Sequence, residues 1–190
     1  MTLIYWRILF FCLVPVGVFI LVKGIKLILK SFNGAILLDL PFTQKSGVFS
    51  ISEAGHFSVW HKGTLRRKAP LGKFRPRVYN QITQGEIQLN HSLMSPRVNG
   101  FSTGRMELFT FYAMAGNYIL DLAEGSSVSG LQQLIGNIIP VKPIDLSQYF
   151  IQVRASQSQL LTLLAIPLIL LGAAGIACGL VFGILADKFF

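Results

Sequence analysis

The sequence predicts a membrane protein with N- and C-terminal transmembrane α-helices flanking a small all-β domain, sandwich or barrel-like. Two apolar runs, one near each terminus, and a series of short alternating segments between them carry this expectation. Composition agrees: 52% of the 190 residues are hydrophobic and 13% are charged, a balance displaced from the soluble average toward lipid. The expected division is a transmembrane helix with a basic juxtamembrane extension at 1–30, a basic β-rich domain at 31–158, and a glycine-rich transmembrane helix at 159–190.

The first run extends from Ile8 to Val22, and back to Leu3 if Arg7 snorkels. Tyr5 and Trp6 suit one interfacial belt and Lys23 the opposite headgroups. A secretory signal would be followed by a cleavage site of small residues; Val22-Lys23-Gly24-Ile25-Lys26 offers none, so an uncleaved anchor is expected. Lys23, Lys26 and Lys30 share one helical face, as i, i+3 and i+7. They read either as a snorkelling helix end or as a grip on anionic lipid, worth about 1 kcal/mol per lysine near the surface.

The second run, Leu160 to Ala186, has 27 residues without a charge. Gly172, Gly175, Gly179 and Gly183 punctuate it, the last three spaced i, i+4, i+8. Such a face lets helix backbones approach in lipid. It can pack against the first helix of the same chain or against another chain, and a homo-oligomer is expected. Pro167 is expected to kink the helix.

Orientation follows from Lys and Arg near the helix ends. Lys23, Lys26, Lys30, Lys142 and Arg154 lie on the loop side, against Arg7 and Lys188 on the terminal side. The bias favours two spans with the domain in the cytosol and both termini outside, and the expected location is the inner membrane. Cys12 and Cys178 both fall in the apolar runs, so no disulfide can staple the domain.

Between the helices, strands are expected at Ala35–Leu40, Val48–Ser52, His56–Lys62, Glu86–Asn90, Arg105–Met114, Asn117–Leu122 and Tyr149–Ala155. Residues 130–139 read as weakly helical. Ala54-Gly55-His56-Phe57 recurs as Ala115-Gly116-Asn117-Tyr118, each copy between two apolar strands, which predicts two hairpins of like design.

Charge is the most informative feature of the domain. Residues 23–105 hold 13 Lys and Arg against Asp39, Glu53 and Glu86, a net of +10, whereas residues 106–159 have a net of −2. The centre is Lys62, Arg66, Arg67, Lys68, Lys73, Arg75 and Arg77, with Trp60, Phe74 and Tyr79 interleaved and Arg97 and Arg105 in reach. Pro70 and Pro76 suggest loop or edge strand. Arginine forks match phosphate, and aromatic rings supply stacking platforms for bases. The run can equally lie on anionic lipid or remain solvated. No cofactor or metal is expected, since His56, His61 and His91 lack ligand spacing. There is no Walker loop and no paired acid and base, so an enzyme is not expected. Neither is binding to a DNA or RNA polymer.

The plan of helix, basic β domain and helix resembles the two-transmembrane-plus-β membrane effectors of nucleotide-signalling antiphage defence, including the Panoptes type. The resemblance rests on Ile8–Val22, the β-rich 34–155 region, the basic run Lys62–Arg77 and the glycine face Gly175/Gly179/Gly183. It spans the chain as architecture and matches no diagnostic motif. It implies a cytosolic sensor domain that binds a cyclic di- or oligonucleotide and controls membrane disruption by the helices, with the sign of control left open. Two rivals from other classes remain: an extracytoplasmic β-sandwich binding or envelope-assembly module, and a toxin-immunity membrane protein.

Overall fold

The computed structural model describes residues 2–64, 74–124 and 146–189. The chain divides into a helical unit, Met1–Asn33 with Gln157–Phe190, and a β unit, Gly34–Ser156.

In the helical unit, α1 (Thr2–Phe32) is one continuous helix of 31 residues and α2 (Gln159–Ile184) has 26. A last turn, α3 (Ala186–Phe189), follows. Both long helices have the length and hydropathy needed to cross a bilayer, with mean hydropathy 2.6 and 2.5. Lys23, Lys26 and Lys30 lie on α1 itself, which runs past the apolar stretch, and Pro15 and Pro167 both sit inside helices. The Lys23 ammonium lies 5.4 Å from the centroid of the Phe19 ring.

The two helices pack along a seam with a 3.5-residue period. On α2 it comprises Thr162, Ala165, Ile169, Gly172, Ile176, Gly179 and Gly183; on α1 it includes Phe10, Val14, Gly17, Leu21 and Gly24. Alternating steps of three and four keep one narrow face toward an antiparallel neighbour. Glycine sets the approach. A Cβ on Gly172 would meet Leu21 N at 2.5 Å and Gly17 O at 2.8 Å, and one on Gly179 would meet Phe10 O at 2.8 Å. The glycine face therefore meets α1 of the same chain. Counting by fours along the sequence groups Gly175 with Gly179 and Gly183. The seam instead runs through 172, 179 and 183, and a Cβ on Gly175 would find only ordinary contact, 3.5 Å from Gly17 Cα.

Polar contacts close the seam at both ends. Arg7 lies 3.4 Å from Asp187. At the other end buried Gln157 donates to Leu27 O at 2.7 Å and to Thr162 Oγ1 at 3.2 Å, and Thr162 donates to Ser31 Oγ at 3.3 Å. At that end the buried side chains of Gln157, Thr162 and Ser31 thus satisfy one another and the α1 backbone, as a low-dielectric setting favours.

The described residues of the β unit form ten strands: β1 (Ile36–Pro41), β2 (Ser46–Ile51), β3 (Gly55–Thr64), β4 (Phe74–Asn80), β5 (Glu86–Ile87), β6 (Asn90–His91), β7 (Arg97–Asn99), β8 (Thr103–Ala113), β9 (Gly116–Glu124) and β10 (Phe150–Ala155). They build two antiparallel sheets. One has the order β1-β10-β3-β8-β6, with β7 also on β8, and the other the order β2-β9-β4-β5. Both contribute to one apolar core that includes Leu40, Phe57, Val59, Phe111 and Val153 from the first sheet and Phe49, Val78, Tyr118 and Leu120 from the second.

The repeated Ala-Gly segments are not hairpins. β2 and β3 belong to different sheets, and so do β8 and β9, so each segment carries the chain from one sheet to the other. β2 pairs with β9 and β3 with β8, which sets the two arched units antiparallel, side by side. In the second arch Gly116 has φ +154°, a conformation that favours glycine, and Tyr118 Oη donates to Met114 O at 3.0 Å.

β4 was expected only as loop or edge strand. It carries Pro76 between β9 and the very short β5, which pairs only with Val78 and Tyr79. Among the described residues the strand has a neighbour on one side alone at Pro76, which is where a residue without an N–H is tolerated. Residues 130–139 lie outside the described residues.

Candidate anion-binding site

The site arises from the face of the first sheet that points away from the core. Along β3, Phe57 and Val59 join the core, and His61 continues that face against Phe42 and Tyr149. Ser58, Trp60 and Lys62 therefore point the other way. The pairing with β8 slips after Val59: Val59 faces Phe109, but Trp60 faces Glu107 and Lys62 faces Arg105. This bulge leaves Leu108 buried in the core and turns Glu107 and Arg105 outward. On the other side β10 sets Gln152 beside Trp60 and Arg154 beside Ser58, and β1 adds Asp39 and Ile36.

The result is a buried polar layer on an outer sheet face. Trp60 and Ser58 are 0% exposed, Gln152 2%, Glu107 3% and Arg154 6%. Trp60 Nε1 donates to Ser58 Oγ at 2.7 Å, and Ser92 Oγ donates to Glu107 Oε1 at 2.7 Å. Gln152 donates to Asp39 Oδ2 at 3.1 Å and accepts from Arg154 Nε at 3.0 Å, while Arg154 Nη1 donates to Gly34 O at 3.2 Å. Lys62 Nζ lies 3.6 Å from Asp39 and 5.2 Å from the centroid of the Phe150 ring; the Arg105 guanidinium lies over the Trp60 ring at 5.5 Å.

Above this layer opens a pocket of about 330 Å³. Lys62, Arg105, Arg154 and Gln152 form its polar wall, Ile36 and Val98 an apolar one, and the β7–β8 hairpin supplies Gly100, Thr103 and Gly104. Burial holds the Arg105 guanidinium below its ordinary pKa. The same holds for Arg154, where burial is joined by repulsion from Arg105 and opposed by Asp39. Two cations are thus held close together and partly out of water, an arrangement that an incoming anion relieves. Burial raises the Glu107 carboxyl, against hydrogen bonds from Ser92 and Ser58. On the core face, burial pushes His61 down to about 4.

The structure separates the sequence candidates. Lys62 and Arg105 meet in the pocket, joined by Arg154, which the sequence had offered only as a topology marker. The signal was present in the alternation of Ile151 and Val153 with Gln152 and Arg154. Arg75, Arg77 and Tyr79 lie on β4 in the other sheet. There Arg77 donates to Tyr79 Oη at 3.4 Å and pairs with Glu86 at 3.8 Å, and its pKa is raised, first by Tyr79. Arg97 is exposed on β7. Arg66, Arg67, Lys68 and Lys73 lie outside the described residues. Trp60 has neither face open to a base: it is fully buried, bonded to Ser58 and covered by Arg105, and its place is structural. Arg75 also lines a second depression of about 450 Å³ with Glu86, Ile87, Leu89 and His91, where it is the only Lys or Arg among the described residues. Among the described residues no cluster of three or more His, Cys, Asp or Glu could hold a metal ion.

No protein-family model matches the chain, and no curated protein matches it.

Proposed function

We propose that this chain is a two-span membrane protein whose β-sandwich domain lies in the cytosol and binds a phosphorylated small molecule, foremost a cyclic di- or oligonucleotide, and thereby controls the helices as an effector of antiphage defence. The observation that carries this reading is the convergence of Lys62, Arg105 and Arg154 on one pocket, with Asp39 the acid bonded into the same group. Guanidinium forks suit phosphate oxygens, and partial burial strengthens each contact relative to water. Gly100 and Gly104 leave room for a ligand to approach the hairpin backbone. The volume is at the lower end for small-molecule sites, which suits one nucleotide unit and its phosphate. Two apolar helices joined through this domain give the bound state a route to the membrane. Since the glycine face is taken up within the chain, contact between copies along it requires the seam to open first.

The test is calorimetry on the full chain in nanodiscs with a panel of cyclic di- and oligonucleotides. One member is expected to bind tighter than millimolar. Arg105→Gln and Lys62→Gln should each weaken that binding by ~10-fold or more, and Arg75→Gln, on the other sheet, should leave it within about twofold. The reading falls if no member binds, or if only Arg75→Gln matters. Protease added outside intact spheroplasts should leave the β domain uncut; digestion would place the pocket on the opposite side from cytosolic nucleotides.

A further inference from the structure

Arg154 has two attachments. Its Nε and Nη1 are bound within the β unit, to Gln152 and to the Gly34 carbonyl, while Arg154 is also one of the residues that line the pocket. Gly34 is the first residue of the β unit, one step after Asn33, whose N–H donates to Leu29 O and closes α1. Arg154 is followed by a strap of consecutive bonds. Ala155 N donates to Ala35 O at 2.9 Å, Ser156 N donates to His56 O at 2.8 Å, and Gln157 donates to Leu27 O of α1 at 2.7 Å. A Cβ on Gly34 would collide with the Ala155 carbonyl, so the incoming and outgoing chains run in direct backbone contact at this point. The arginine that lines the pocket is therefore also bonded to the first residue of the β unit.

Resting on the ligand reading above, we infer that the pocket is read out through this clasp: an anion held between Arg105 and Arg154 tightens the hold of Arg154 on Gly34. In the empty pocket the two guanidiniums repel each other, and Arg154 can reduce that repulsion by swinging away, which breaks its bond to Gly34 O. An anion between them removes the reason to swing. Arg154 has five N–H groups and uses two on Gln152 and Gly34, so it can grip a phosphate oxygen without releasing either. The clasp and the ligand thus reinforce each other, and no covalent step is involved.

Hydrogen exchange on the full chain in nanodiscs tests this at the amides of Ala155 and Ser156, with inorganic pyrophosphate and cyclic di-AMP as probes. Arg105→Gln removes the repulsion while leaving the Gly34 bond in place. It should therefore slow exchange at both amides by about fivefold with no probe added, and a probe should slow them little further. In the wild type, a probe that binds by calorimetry should slow both amides by a similar factor. Arg154→Gln should exchange fast with or without probe. Unchanged exchange in Arg105→Gln overturns the inference, as does a probe that binds the wild type without slowing either amide. If neither probe binds, the anion-ligand reading suffers instead, and Arg105→Gln alone still decides whether repulsion loosens the clasp.

Discussion

Replacing Gly172 with alanine should loosen the helical hairpin, whereas the same change at Gly175, one turn away, should not. At Gly172 the new methyl would sit 2.5 Å from Leu21 N and 2.8 Å from Gly17 O, both backbone atoms of α1 that cannot rotate aside. Restoring ordinary contact requires the helices to separate by about 1 Å, which forfeits a quarter to a half of the dispersion well for neighbouring atom pairs. Overpacking of this kind costs about 1–3 kcal/mol, and the better helix preference of alanine returns at most about 1. A net loss of about 1–2 kcal/mol lowers the ratio of packed to splayed hairpin about 5- to 30-fold. At Gly175 the methyl finds ordinary contact at 3.5 Å, so the change should be neutral or slightly stabilising. Cys12 and Cys178, both exposed and one on each helix, accept a spin-label pair without further mutation. Pulsed EPR in detergent, with SDS titrated in, should show longer and broader distances and an earlier transition for Gly172→Ala only. Equal sensitivity at the two positions, or greater sensitivity at Gly175, would refute the seam and return the 175/179/183 face to contacts between chains.

Two buried titratable groups should impose opposite pH slopes on the stability of the β unit, followed by urea unfolding of the full chain in a Trp6→Phe background, where Trp60 is the single emitter. His61 is held at about 4 in the fold against 6.5 ordinarily, so its contribution is complete above pH 6.5 and declines as pH falls toward 4, by at most about 3 kcal/mol. His61→Phe, which keeps a ring against Phe42 and Tyr149, should flatten that slope. Glu107 is raised by burial, so the folded state binds its proton more tightly. Its contribution is greatest at low pH and is lost as pH rises through the folded value. Glu107→Gln should remove this dependence and raise stability at pH 7; a loss there would mean the carboxylate is better satisfied than its surroundings indicate. Tyr118→Phe deletes the bond to Met114 O that closes the second arch and should cost about 1 kcal/mol in the same melts, with no cost if the arch holds without it.

Local pattern was enough for the elements that depend on local rules. Apolar length marked the positions of α1 and α2, and period-two alternation placed Phe57 and Val59 on one face of β3. The interleaved aromatics were legible as residue types, but their roles were not: the Trp60 ring lies beneath Arg105, and Tyr79 accepts from Arg77 on the opposite sheet. β4 was legible only as loop or edge strand, because Arg75 and Arg77 disguise its inward residues, Phe74, Pro76 and Val78, and because Pro76 fits a strand only where one neighbour is missing. The arches escaped for a related reason. A short Ala-Gly link between apolar strands suits a hairpin or a change of sheet equally, and only the partner strands distinguish them.

The sequence by itself determined that two apolar helices bracket a strand-rich, strongly basic domain, because hydropathy, period and charge are sums over neighbours along the chain. The tertiary structure alone decided which cations meet. Lys62, Arg105 and Arg154 lie on three strands that are neighbours in the sheet but far apart in sequence, and the bulge at Leu108, which β3 skips, turns Arg105 to their side. It likewise decided that the helix seam runs through Gly172 and not Gly175. That depends on the phase of a 3.5-residue repeat against a particular partner, and one helix read in isolation cannot supply the partner.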